Sequence, residues 1–175
     1  MIDFLQFCIK CKDSNCCSQP YYGFSRENEK KRILNHFKDK VSNINEKSIF
    51  KICRSKFEKG VCYAVIKKDK MGKCIFLDEN LACTIQDIKP FDCTLWPLTI
   101  DYDTTTDSVD VYLGAECLAG QELEKKNQLG EWIESQKERL TNFVNDLSLR
   151  ELFCYSSMDD IPNPKYLFTI QRRIL

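Results

Sequence analysis

Residues 74–97 read "CIFLDENLACTIQDIKPFDCTLWP", with cysteines at Cys74, Cys83 and Cys93 and prolines at Pro90 and Pro97. The stretch is too punctuated to be one long helix and too irregular to be one strand. Its middle, "ACTIQDIKPFDC", predicts a single short helix that Pro90 interrupts or ends, because proline lacks an amide donor and restricts the residue before it. This is a cysteine-rich loop, and the regular elements must be arranged around it.

On the amino-terminal side, "SIFKIC", "VCYAVI" and "KCIFL" are short β-prone runs separated by "RSKFEKG" and "KKDKMG", with turn punctuation at Gly60 and Gly72. Before them, Ser25 is placed to cap a helix through "RENEKKRILNHFKDKV", in which Ile33, Leu34, Phe37 and Val41 share one face. "QPYYGF" reads as a turn-rich aromatic link. On the carboxy-terminal side, "TLWPLTIDYD" and "VDVYLGAEC" read as two strands joined by "TTTDS". Leu129, Trp132, Ile133, Leu140, Phe143, Val144 and Leu147 then repeat at threes and fours, the stripe of a long helix packed on a core, with Gly130 marking a break near its start. The tail from Met158 reads as a proline-set loop that closes apolar and basic. The expected class is α+β: small antiparallel strands and cysteine-rich loops, an early helix and a long carboxy-terminal helix. A cysteine-cluster domain over residues 1–120 with a helical extension over 121–175 packed on it is the expected organisation.

The 175 residues carry 26 basic and 26 acidic side chains. A balanced chain offers no general attraction to nucleic acid or to an anionic membrane. The runs Lys30-Lys31-Arg32 and Lys67-Lys68 read as solvated faces. "MIDFLQFCIKCKD" shows no secretory signal, and no run approaches the apolar length of a membrane helix, so a cytoplasmic location with reduced thiols is expected.

Eleven cysteines, an odd number, argue against a complete disulfide framework in such a compartment and for metal ligation. Eight form a spaced set: Cys8, Cys11, Cys16 and Cys17 as C-x2-C-x4-C-C, then Cys74, Cys83 and Cys93 as C-x8-C-x9-C, then Cys117 in "GAECLAG". Close pairs present two sulfurs from one loop, and distant ones staple separate elements. Successive side chains of an extended segment point to opposite faces, so Cys16 and Cys17 serve one tetrahedral ion only if the backbone turns sharply. Cys53, Cys62 and Cys154 fall outside the set; they read as buried small hydrophobes, with extra ligation by Cys53 and Cys62 from neighbouring strands as the alternative.

This pattern resembles the YkgJ-type cysteine-cluster family, described as zinc- or iron-chelating domains. Cys8, Cys11, Cys16 and Cys17 resemble the family's leader, with four residues before the C-C pair where two are common. "CIFLDENLACTIQDIKPFDCTLWP" resembles its second block, with Lys89 where arginine is usual, and "ECLAG" its late C-P-G segment, with leucine in the proline position. The resemblance runs from about Cys8 to Gly120 and implies a chelating module. A related cluster in the flagellin lysine methylases suggests, by analogy only, a tie to protein modification by methyl transfer.

The eight sulfurs suit one iron–sulfur cluster, 4Fe-4S favoured, with cysteines to spare, or two four-thiolate zinc sites. Aromatic neighbours (Phe7, Tyr21, Phe76, Phe91 and Trp96) favour a shielded cluster. His36, the single histidine, lies off the apolar stripe and reads as a surface residue. Asp78, Glu79, Asp87 and Asp92 read as turn acids or as partners behind the ligands, and Lys89 as a cation that steadies a thiolate or meets an anionic partner. No P-loop, G-x-S-x-G or Rossmann glycine pattern occurs. Three roles stay open: an electron-transfer or structural module acting through a partner protein, a metal-dependent enzyme, and metal delivery. The first is the expectation, with the question of enzyme activity left undecided.

Overall fold

Two antiparallel three-stranded sheets organise the chain. They are seen in a computed structural model that describes residues 17, 22–38, 44–55, 59–114, 117–156 and 164–172. The class is α+β.

The first sheet contains β1 (Phe24–Ser25), β2 (Phe50–Arg54) and β3 (Cys62–Ile66) in the order β1-β3-β2. Side chains alternate across its faces. Phe50 opposite Ile66 and Ile52 opposite Ala64 define one face, and Phe24 opposite Val65 and Cys53 opposite Tyr63 define the other. Phe50, Ala64 and Ile66 join Ile33, Ile49, Phe76 and Ile85 in one apolar cluster. Phe24 and Tyr63 belong to the main core on the opposite side. The sheet is therefore a wall between two apolar clusters.

Helix α1 (Glu27–Lys38) follows β1 directly. Ser25 does not cap it: Ser25 lies in β1, and its buried hydroxyl has no hydrogen-bond partner. The first turn is closed instead by Glu29, whose carboxylate accepts from the Arg26 amide at 2.9 Å. Ile33 points into the smaller cluster, and Phe37 stacks on Phe76 with ring centroids 5.6 Å apart. Val41 lies outside the described residues. A one-turn helix α2 (Glu46–Ile49) leads into β2 through a capping box between Asn45 and Ser48.

"KCIFL" does not form a strand. Only isolated bridges occur there, Lys68 with Cys74 and Leu77 with Cys83. The reason is local: Asp69 accepts from the amides of Met71 and Lys73, and Asp78 from those of Asn80 and Ala82, so the chain turns before a ladder can extend. Pro90 starts the short helix rather than ending it. It is the cap residue of α3 (Phe91–Leu95), where a missing amide costs the helix no bond.

The second sheet contains β4 (Leu98–Asp103), β5 (Ser108–Leu113) and β6 (Lys165–Gln171) in that order. Strand β6 replaces part of the tail loop expected from sequence, and it pairs along the length of β5 with a bulge at Val111/Tyr112. Between β5 and β6 run α4 (Leu118–Lys125), α5 (Leu129–Asp146) and α6 (Leu149–Tyr155). The break before α5 falls at Asn127, which takes φ 56° and closes α4 in a Schellman motif; Gly130 lies inside the first turn of α5. Leu140, Phe143, Val144 and Leu147 of the expected stripe meet Leu98, Ile100, Val109, Val111 and Ile170 in the main core. That core joins residues on both sides of position 120. Among the described residues, no helix is long and apolar enough to cross a membrane.

Candidate metal centre

The loop between β3 and α3 meets Cys17 through a backbone bond: the Cys74 amide donates to the Cys17 carbonyl at 2.7 Å. Cys83 stands opposite Leu77, where the Thr84 amide donates to the Phe76 carbonyl at 2.8 Å. Cys93 rides on α3 and meets the backbone before β1. A Cβ placed on Gly23 would lie 2.5 Å from the Cys93 sulfur, so only glycine admits this approach. Cys74, Cys83 and Cys93 all pack against the smaller apolar cluster around Phe76, Ile85 and Ile66.

These thiols act on one another. Burial pushes the Cys74 thiol up to about 11; the Phe76 amide and Lys68 pull it down, while Cys17 and Cys83 push it up further. Cys93 stands well above the ordinary thiol range, chiefly through burial, then through Asp92, Cys74 and Cys17, with Lys89 opposing. Burial of Cys74 and Cys93 thus disfavours their thiolates, and a bound cation would favour them.

Of the eight expected ligands, Cys74, Cys83 and Cys93 pack against one apolar cluster and the Cys74 amide bonds the Cys17 carbonyl, but these four do not form a metal-holding group. Cys117 stands at the start of α4, in the neighbourhood of Gly120, Pro97 and Leu113. Cys8, Cys11 and Cys16 lie outside the described residues. Among the described residues, no three or more His, Cys, Asp or Glu side chains form a group that could hold a metal ion. Known proteins add nothing to this picture. No family model, curated protein or solved structure matches the chain.

The remaining sulfurs divide clearly. Cys154 is buried in the main core, as a small hydrophobe. Cys53 lies opposite Tyr63 and Cys62 opposite Arg54, so the two side chains project from opposite faces of the first sheet. Joint ligation of one ion by that pair is excluded by the pleat. His36 sits edge-on to the Phe37 ring at 4.9 Å.

Behind Cys93 lies a polar nest that the sequence reading only partly anticipated. Asp92 accepts from the Phe24 amide at 2.8 Å, and burial followed by the nearby Glu29 charge, against that amide bond, pushes its carboxyl up to about 7. Glu29 bridges two helix starts, accepting from Arg26 and, at 2.7 Å, from the Phe91 amide of α3. Tyr155 faces the same carboxylates and Cys93 from α6. Glu29 is a first-turn acid of α1, and its spacing from Arg26, three residues, is the capping signal that marks it. Gly23 and Tyr155 carry no local signal. Asp78 serves its own turn, while Glu79 and Asp87 are exposed. An open groove of about 580 Å³ lies at α2 and β2, lined by Asn45, Glu46, Lys47, Phe50 and Ile52.

Proposed function

We propose that the chain is a metal-binding protein in which cysteine thiolates hold an iron–sulfur cluster, acting in electron transfer or as a structural module for a partner protein. What supports this reading is that the Cys74 amide bonds the Cys17 carbonyl and that Cys74, Cys83 and Cys93 pack against one apolar cluster. The described residues alone do not complete a ligand set, so the proposal draws on Cys8, Cys11 and Cys16, with Cys117 as a further candidate. Soft thiolate donors suit iron–sulfur clusters and zinc alike. The apolar packing of the sulfurs against Phe76 and Ile85 favours the cluster, because exclusion of water protects it and tunes its potential. When bound, such a cluster supplies one-electron exchange. The chain's own part is to hold the sulfurs apart from water, to place Lys89 and Lys68 beside them, and to anchor α3 through Glu29 and Asp92. The resemblance of residues 8–120 to YkgJ-type modules points the same way, and thiols of this number suit a reducing cytoplasm.

Anaerobic purification followed by a visible spectrum and assays of iron, zinc and acid-labile sulfide tests the reading. A brown protein with iron and sulfide is the expected result. A colourless, zinc-loaded protein transfers the site to the zinc alternative, and a metal-free protein after anaerobic isolation overturns both.

A further inference from the structure

The zero net charge conceals a sharp separation of sign. Residues 47–73 contain nine basic side chains and two acidic ones, whereas residues 78–110 contain eight acidic side chains against Lys89 alone. Six of the nine, Lys47, Lys51, Lys67, Lys68, Lys70 and Lys73, belong to the end of the first sheet where β2 begins and β3 ends. The Lys51 and Lys68 ammonium groups lie over the Tyr22 ring, 5.2 and 5.5 Å from its centroid. The Lys67 amide donates to the Ile49 carbonyl at 2.8 Å, and its ammonium donates to the Lys47 carbonyl. Lys70 and Lys73 lie on the turn that Asp69 closes through the Met71 and Lys73 amides. Among the described residues, none of these six lysines enters an ion pair, although Lys30, Lys126, Lys137 and Lys165 elsewhere all do. Apolar side chains stand among them: Met71, at 83 % exposure the most open large hydrophobic residue among those described, and Ile75.

We infer that this end of the sheet docks an acidic protein, one whose carboxylates meet Lys51, Lys68, Lys70 and Lys73 and whose apolar spot covers Met71. Charge complementarity favours an acidic partner. Exposed Met71 and Ile75 favour protein over nucleic acid, because a phosphodiester chain has nothing apolar to set against them. The surface borders Cys74, because Lys68 is bridged to it, so a partner bound here stands beside the candidate centre. The inference deepens the partner part of the proposed function but stands on charge rather than on metal, so the two tests fail separately.

The test measures anisotropy of a fluorescein-labelled poly-glutamate peptide, with and without interspersed leucines, against the full chain as purified. Binding is expected at low salt, and should weaken by about tenfold or more when NaCl rises from about 20 mM to about 200 mM. K51E/K68E and, separately, K70E/K73E should each lower affinity at least about tenfold. Among the described residues neither Lys70 nor Lys73 has a side-chain hydrogen bond or ion pair, so the second pair decides the matter should the first fail to fold. Met71→Ser should weaken the leucine-bearing peptide selectively, and K125E/K126E on α4 should change nothing. The inference is overturned by absence of peptide binding at low salt, by insensitivity to K70E/K73E, or by tighter binding of a DNA duplex of equal charge. Self-association that K70E/K73E abolishes, without peptide binding, would assign the surface to a second copy and equally overturn it.

Discussion

At Gly23, one hydrogen atom in place of a methyl group decides whether Cys93 can reach the loop before β1. Gly23→Ala would place a carbon 2.5 Å from the sulfur, and backbone or helix must shift to relieve it. The expected cost is about 1–3 kcal/mol, read as a lower urea midpoint together with reduced metal content on the thiolate reading. A variant with unchanged midpoint and full metal would show that the approach is not tight in solution. Glu29 works at the same scale. Its two carboxylate oxygens satisfy the amides of Arg26 and Phe91, so Glu29→Ala leaves both donors unmet. A loss of about 2 kcal/mol is expected, with Glu29→Gln, which keeps one acceptor oxygen, falling between the two. Equal stability of Ala and Gln variants would contradict that account.

At the scale of elements, the joint between α5 and α6 is held by a capping box in which Ser148 and Glu151 exchange hydrogen bonds. Arg26 reaches it from the start of α1, pairing with Glu151 at 2.7 Å and donating to the Asp146 carbonyl at 3.1 Å. Ser148→Ala should cost about 1 kcal/mol, measurable by thermal or urea denaturation. The pH dependence has a definite sign. Burial by itself would raise Glu151, but the Ser148 amide and hydroxyl and the Arg26 guanidinium outweigh it and hold the carboxyl below its ordinary 4.5. A depressed acid contributes stability above its unfolded value and loses it as pH falls through the folded one. Wild-type stability should therefore decline below about pH 4.5, and Glu151→Gln should lack that part of the decline. Parallel acid limbs in the two proteins would remove Glu151 from the account.

At the scale of the whole molecule, the first sheet separates a large core from a smaller cluster that includes the sulfurs. The main core has contributions from both sheets, α3, α5 and α6, while the smaller one is built from α1, α2, the other face of the first sheet and the turn-rich loop. On the thiolate reading, removal of metal should release the loop of residues 74–93 before the second sheet. A loss of about 4 kcal/mol, or roughly 10 °C in Tm at this chain length, is expected on chelation under reducing conditions. An apo protein as heat-stable as the loaded one would show that metal does not brace the fold.

What the sequence by itself determined was whatever depends on neighbours in the chain. The pairs "FKIC" with "VCYAVI" and "LTIDYD" with "VDVYL" were legible because alternation and turn residues are local, and the α5 stripe because helical period is local. The spacing of Cys74, Cys83 and Cys93 marked them as candidates before any geometry was known. Tertiary structure alone decided the rest. Strand β6 forms because β5 offers it a ladder, not because its own pattern is strong, and Ser25 is withheld from capping because β3 claims its backbone. The opposite facing of Cys53 and Cys62, the contact of Gly23 with Cys93, and the gathering of six lysines at one sheet end all follow from pairing register and loop closure between residues far apart in the chain. Such contacts are set by packing and entropy of the whole chain, which no short window of residues encodes.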